Sequence, residues 1–249
     1  MKSALLNIDH VSLKISGVDI PILSDINYQV QQGDFVIILG SNGSGKSSLL
    51  KLLDGRYHQT AGNIYLNEKF LSNYSTYKLS QTIITLTQNP HDSLFTSLTI
   101  LENYLLVKQR HESKLFSLVS KTERAFFANY LTEFNDNLPG KLDQVVDKLS
   151  GGEKQALALA LSVLYPPKIL LLDEHTSALD PKSAQQLMSL TQRVVAEHNI
   201  TCMLTTHDLD IALQYGNRIL ALHQGKIFKM IEQENKKSLT QQDLLAVYY

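Results

Sequence analysis

Cysteine is almost missing from this chain of 249 residues. A single thiol, Cys202, has no partner in the sequence, so disulfide staples are excluded and nothing points to an oxidising compartment. Charge is scarce as well, at 19% of residues against roughly 25% in an average soluble domain. The 23 Lys and Arg residues nearly cancel the 24 Asp and Glu residues, leaving a formal net charge of −1. That balance lacks the basic excess of a nucleic-acid footprint, and no nucleic acid is expected as a partner. Long apolar runs are also absent. The stretch from Gln155 to Pro167 contains Ser162, Tyr165 and two prolines and ends at Lys168. A membrane-spanning helix needs about 20 predominantly apolar residues. The opening MKSALLNIDHV meets Asp9 early and sustains no apolar core, so no signal peptide is expected. A soluble chain is expected, working at a membrane only from its surface. Repeats, low-complexity tracts and heptads are absent too.

Hydrophobic residues make up 43% of the chain, enough for a sizeable core in one large domain or two modest ones. Val11, Leu13 and Ile15 alternate with Ser12, Lys14 and Ser16, and Ile26, Tyr28 and Val30 alternate with Asn27 and Gln29. Both segments read as half-buried strands. Phe35–Leu39, Ile83–Leu86, Ile169–Leu172 and Cys202–Leu204 are instead continuous apolar runs, as in strands covered on both faces. Buried strands separated by helical stretches imply a parallel sheet flanked by helices, an α/β fold. The middle differs. Ile100, Leu101, Tyr104 and Leu105 recur at helical spacing, as do Phe126, Phe127, Tyr130, Leu131 and Phe134, before Asn135 to Gly140 breaks the pattern. It reads as a helical insertion. Arg218–Leu222, the turn Gln224-Gly225 and Lys226–Met230 predict an antiparallel hairpin at the sheet edge. Thr240 to Asp243 opens a last short helix with a capping-box pattern.

The chemistry begins at Gly40-Ser41-Asn42-Gly43-Ser44-Gly45-Lys46-Ser47, with Ser48 following. Glycines let main-chain N–H groups converge on phosphate oxygens, and a helix N-terminus adds positive potential. A chance match is on the order of one in a hundred. Lys46 is placed to reach β- and γ-phosphates, and Ser47 to ligate Mg²⁺. The alternative, a flexible turn with a surface lysine, ignores the buried strand entering and the apolar stretch Leu49–Leu53 leaving. Ile169–Leu172 ends in Asp173 and Glu174. Asp173 suits a hard cation, and Glu174 could polarise a water for attack on a γ-phosphate. Ser150-Gly151-Gly152-Glu153, after Leu149, has the spacing of a capping box. That accounts for Ser150 and Glu153 but not for two glycines in a helix, which cost about 1 kcal/mol each. Bare backbone there suits a second anion.

These motifs, in this order over nearly the whole chain, resemble the nucleotide-binding subunits of ABC transporters. Gly40–Ser47 looks like the Walker A loop, Gln88 the Q-loop, Leu149–Glu153 the signature, and Leu170–Glu174 Walker B. Ser177 to Asp180 looks like the D-loop, and His207 the switch histidine. The resemblance implies a P-loop NTPase (RecA-like) core over 1–90 and 159–230, with N-terminal antiparallel β strands. It also implies an inserted helical subdomain over 91–158 and a short C-terminal helix within 231–249, all in a single ATPase domain. Two subunits, a homodimer or a pair with a related subunit, would sandwich two ATP molecules with Mg²⁺, each between one Walker A loop and the other signature. Gln88 would contact Mg²⁺ and the attacking water and sense an integral-membrane permease; His207 would hold the γ-phosphate. Leu94, Phe95, Leu98 and Tyr104 would be permease contacts, or equally core residues of the insertion. The subunit would sit peripherally on the cytoplasmic face of the cell (inner) membrane, beside a separate solute-binding protein.

Some positions depart from that pattern. Ile15 falls where many members place an aromatic on adenine, Glu153 where glutamine is commoner, Ala156 where arginine is usual, and His175 where proline is frequent. Glu153 can still accept from a ribose hydroxyl, as a minor contact. Asp173 to Pro181 and the closing Leu239 to Leu245 are similar to a branch of tryptophan/tyrosine-like amino-acid importers. An importer ATPase is therefore expected. A soluble ABC protein acting on ribosomes or DNA would carry paired cassettes with a charged linker, or long coiled coils. A small-molecule kinase would not require the signature.

Overall fold

The computed structural model describes residues 4–15, 17, 20–112, 119–236 and 238–245. Ser16 of the first alternating segment, residues 1–3 of the opening and 246–249 of the closing segment lie outside the described residues. The elements run β1 (Leu6–Leu13), β2 (Leu23–Val30), β3 (Phe35–Leu39), α1 (Lys46–Leu53), β4 (Ala61–Leu66), β5 (Lys69–Phe70), α2 (Thr76–Thr82) and β6 (Ile83–Thr87). Then come α3 (Ile100–His111), α4 (Lys121–Thr132), α5 (Gly151–Val163), β7 (Ile169–Asp173), α6 (Pro181–Glu197) and β8 (Thr201–Thr206). The chain finishes with α7 (Leu209–Gln214), β9 (Arg218–His223), β10 (Lys226–Ile231), α8 (Gln233–Lys236) and α9 (Gln241–Leu245).

Two sheets form. A four-stranded antiparallel sheet has the order β2-β1-β4-β5, and a six-stranded sheet has the order β10-β9-β3-β8-β7-β6. In the second, β3 lies between β8 and β9 and pairs parallel with both, and β8 pairs parallel with β7. The β9–β10 hairpin closes one edge, antiparallel as its Gln224-Gly225 turn requires. The α/β architecture with antiparallel N-terminal strands is the one the motifs implied.

Three details differ from the sequence reading. Ile15 is not part of β1, which ends at Leu13; it is 41% exposed. β6 is only partly buried because it is an edge strand, covered less than the central β3. The segment making β4 and β5 is not among the strands read from the sequence, and Ile64 and Leu66 are its only buried residues. It becomes a strand by pairing with β1, from Leu6↔Leu66 to Ser12↔Ala61.

By packing, the described residues of Met1–Thr85, Pro167–Glu174 and Val195–Tyr249 form one compact unit. Those of Leu86–Pro166 and His175–Val194 form a second. The first unit is cored by apolar residues of both sheets and of α1, among them Ile8, Ile26, Ile38, Leu49, Leu171 and Leu220. Burying such side chains contributes roughly 1.5–3 kcal/mol each. The second is cored by Ile100, Phe127, Leu131, Leu157 and Met188, with the Tyr104 and Phe127 rings stacked 4.1 Å apart. Its helix α3 begins with the box that Thr99 and Glu102 make, and α4 with Ser120 as N-cap.

In the first unit, Arg218 at the start of β9 ties three elements together. Its Nη1 donates to Asp34 at 2.6 Å, just ahead of β3, and to the Gln29 carbonyl of β2 at 3.1 Å. Its Nη2 donates to Glu232 at 2.6 Å, and the guanidinium lies 5.3 Å from the Tyr28 ring centre. Arg218→Met would leave the Asp34 carboxylate without its charged partner in a largely dry site, with the Gln31 N–H at 2.8 Å still in place. It is expected to cost about 3 kcal/mol, read as a lower urea midpoint at unchanged m-value.

Candidate functional site

The phosphate-type loop follows β3 directly and is folded by its own glycines. At Gly40, a Cβ would stand 2.5 Å from the Leu222 carbonyl oxygen, so no larger residue fits beside β9. Gly45 caps α1 with φ 103, a left-handed backbone that side chains rarely adopt. Between them, Ser44 N–H closes a turn on the Ser41 carbonyl at 3.2 Å, leaving Asn42 and Gly43 exposed at the tip. Lys46, Ser47 and Ser48 then open α1.

Lys46 is 5% exposed, and its ammonium donates to the carbonyls of Gly40 at 2.8 Å and Ser41 at 3.2 Å. Those acceptors are neutral. Charge compensation comes from Glu174, whose Oε1 is 3.5 Å from Nζ. The same Oε1 is 3.4 Å from His207 Nδ1, on the loop after β8. Ser47 Oγ donates to Asp173 Oδ1 at 2.9 Å. So the first unit brings the loop, Asp173, Glu174 and His207 into one cluster at the carboxyl ends of β3, β7 and β8, where parallel sheets commonly bind ligands.

Thr205 holds the acidic pair in place. Fully buried on β8, its hydroxyl donates to Asp173 Oδ1 at 2.6 Å and accepts from Glu174 N–H at 3.1 Å. Glu174 needs this anchor because its φ is 47, a strained conformation for a residue with a Cβ. The motif reading did not find Thr205. Nothing local marks a threonine in an apolar strand; only the placement of β8 beside β7 gives it this role.

The second unit carries Gln88, Ser150–Glu153 and Asp180. Gln88 is exposed, and its carbonyl accepts from Gln155 Nε2 of α5 at 3.0 Å. Ser150 caps α5 in a full capping box, accepting Glu153 N–H at 3.3 Å while Glu153 Oε2 accepts Ser150 N–H at 3.0 Å. A Cβ on Gly151 would come no nearer than 3.6 Å to the Leu179 side chain, and one on Gly152 no nearer than 3.9 Å to Ser183. No described residue of the chain thus requires glycine at either position. Burial pushes the Glu153 carboxyl up, but the Lys141 ion pair and the Ser150 hydrogen bonds outweigh it and hold it below its usual range. Asp180 caps α6, accepting from the N–H groups of Lys182 and Ser183, each at 3.1 Å. A groove of about 1120 Å³ runs past Ser150, Gly152, Glu153 and Asp180.

Of the four apolar candidates after Gln88, Leu94 and Tyr104 are buried at 4% and 5%, and Leu98 is half-buried. Phe95 alone of them stands out, 62% exposed. It is displayed because buried Asn103 grips its main chain, accepting Phe95 N–H at 2.9 Å and donating to its carbonyl at 3.0 Å. His175 is a core residue of the second unit, 1% exposed, with burial pushing its pKa down to about 4.

The chain is similar to known proteins over most of its length. The sequence profile of the ABC transporter family matches residues 23–177. A tyrosine transport ATP-binding protein of Clostridioides difficile is 36% identical over 227 residues, 91% of this chain and 90% of that one. Among solved structures, cbiO1 from Clostridium perfringens, part of the ABC transporter complex cbiONQ, aligns with a TM-score of 0.80 at 27% identity. That alignment covers 98% of this chain and 92% of cbiO1. The ATP-binding cassette MJ0796, solved as a dimer in a post-hydrolysis state with ADP and Pi, aligns at 0.75 with 26% identity, covering 92% and 98%.

Thr205→Val keeps the side chain's shape and removes its hydroxyl. It should lower unfolding free energy by about 2 kcal/mol in urea titration, the scale of two hydrogen bonds lost around a carboxylate.

Proposed function

The chain belongs to the ABC transporter family as an ATP-hydrolysing subunit, and we propose that it powers import of a small solute such as an amino acid across the cytoplasmic membrane. The similarity to the tyrosine transport protein supports the amino-acid reading. The observation that carries the chemistry is the convergence of Lys46 and His207 on one oxygen of Glu174.

In this reading Gly40–Ser48 wraps the phosphates of ATP, with Lys46 against the β- and γ-phosphates and the start of α1 adding its positive end. Ser47 Oγ and Asp173 Oδ1, 2.9 Å apart, are oxygen donors of the kind Mg²⁺ prefers. Mg²⁺, when bound, would neutralise charge on the β- and γ-phosphates. Glu174 takes the proton of the attacking water, and His207 donates to the γ-phosphate. Ser150, Gly151, Gly152 and Glu153 of one copy, with Asp180 on the same groove, complete the nucleotide site of a second copy. Room for close approach at Gly151 and Gly152 supports that role. No helix among the described residues is long and apolar enough to cross a membrane. We place the subunit peripherally on the cytoplasmic face, docked on a permease through the Gln88 region with Phe95 as the exposed contact, and served by a separate solute-binding protein. Residues 91–158, which hold α3, α4 and the start of α5, would form the inserted subdomain.

Glu174→Gln should bind ATP normally and lose hydrolysis by about 100-fold or more, because the amide cannot accept the proton. ATP should then trap a dimer on size-exclusion chromatography; wild-type turnover would remove Glu174 as the base.

Lys46→Ala and Ser150→Arg should each inactivate the homodimer. Mixing them should restore part of the activity, since one site of each heterodimer escapes both lesions. A Ser150→Arg protein that hydrolyses ATP at full rate as a dilute monomer would sink the shared site. Co-purification with a membrane-embedded partner, and nucleotide-dependent amino-acid uptake by that complex, test the transport role.

A further inference from the structure

The signature carries an electrostatic contradiction. A helix N-terminus attracts an anion through its N–H groups and the positive end of its dipole. A carboxylate in the first turn cancels that attraction, and Glu153 is such a carboxylate. Its surroundings make matters worse, because the groove beside it is also lined by Glu133, Asp136 and Asp180, against only Lys182 and Arg193. A phosphate approaching Gly151 and Gly152 would meet net negative charge.

Lys141 resolves the contradiction. It ends a short turn, Pro139–Lys141, and reaches forward across twelve residues to place Nζ 2.5 Å from Glu153 Oε1. The other oxygen, Oε2, accepts Ser150 N–H at 3.0 Å. Both carboxylate oxygens are thereby engaged on the chain's own side, and the Glu153 side chain is only 10% exposed. Ser150 Oγ already accepts Glu153 N–H, so its hydroxyl proton remains available to point at an external oxygen. The expected contact between Glu153 and a ribose hydroxyl fits this geometry less well than an inward, capping role.

We propose that Lys141 is a positioning residue for ATP binding at the signature: it neutralises Glu153 and holds it against Ser150, so that Ser150, Gly151 and Gly152 can face the triphosphate held by a second copy. The proposal rests on the shared-site reading above. It assigns Lys141 no direct contact with nucleotide. It also explains how an acidic residue can occupy this position, since the pair as a whole is close to neutral.

The test uses the full chain carrying Glu174→Gln, with the ATP concentration at half-maximal dimerisation read by analytical ultracentrifugation. Adding Lys141→Met should raise that concentration about tenfold, the scale of one uncompensated, partly solvated charge at short range. Lys141→Arg should restore it. In a Glu153→Gln background, where the amide still accepts Ser150 N–H without a charge, Lys141→Met should shift it less than twofold. Thermal midpoints without nucleotide establish that each variant is folded. An equal shift from Lys141→Met in both backgrounds, or none in either, overturns the proposal while leaving the shared site standing. If the Glu174→Gln protein binds a fluorescent ATP analogue but never dimerises, the shared-site reading falls, and the proposal falls with it.

Discussion

The hydrogen bond from Ser47 to Asp173 and the ion pair from Lys46 to Glu174 join the start of α1 to the end of β7. That join draws the candidate site together. It exists because β3, β8 and β7 run parallel and side by side, so that their carboxyl ends open at one edge of the sheet. With β8 in the middle, Thr205 lies between the two functional strands and can fix both acidic residues with one hydroxyl. A different strand order would leave the same motifs intact and useless.

Glu174 brings backbone strain to the same place. Gly45 and Glu174 both adopt left-handed backbone, and Gly40 sits against the Leu222 carbonyl. For a residue with a Cβ such as Glu174 this conformation costs of order 1–3 kcal/mol and persists only where surrounding structure over-determines it. The fully buried residues of β3 and β7 supply that support. Arg218 adds to it by anchoring the entry to β3 through Asp34.

The second unit obeys a different economy. Its candidate site residues lie at helix starts, so capping governs them: Ser150 and Glu153 at α5 and Asp180 at α6, as Thr99 and Glu102 govern α3. At α5 the cap does two things at once. It satisfies the first N–H groups of the helix, and it folds a carboxylate away from the surface that Gly151 and Gly152 leave bare. Gln155, buried on the same helix, carries the link to the main chain of Gln88.

Ions and glycines close together in sequence made the phosphate loop, the acidic strand end and the signature cap readable from the amino-acid sequence alone. Their geometry is set within a few residues, by φ preferences and hydrogen bonds of short reach. The central strands were readable for a similar reason, since burial on both faces forces an unbroken apolar run. The chain alone also carried the hairpin at the edge, through Gln224-Gly225. Tertiary structure decided the rest. Ala61–Leu66 is a strand only because β1 supplies its hydrogen bonds, and Ile15 leaves its strand although the alternation continues through it. Leu94 and Tyr104 turned inward while Phe95 turned outward, its main chain held by buried Asn103. Thr205 and Lys141 carry no local mark at all. Their partners lie 32 and 12 residues away, and long-range contacts of that kind become visible only once the chain has brought its strands and helix ends together.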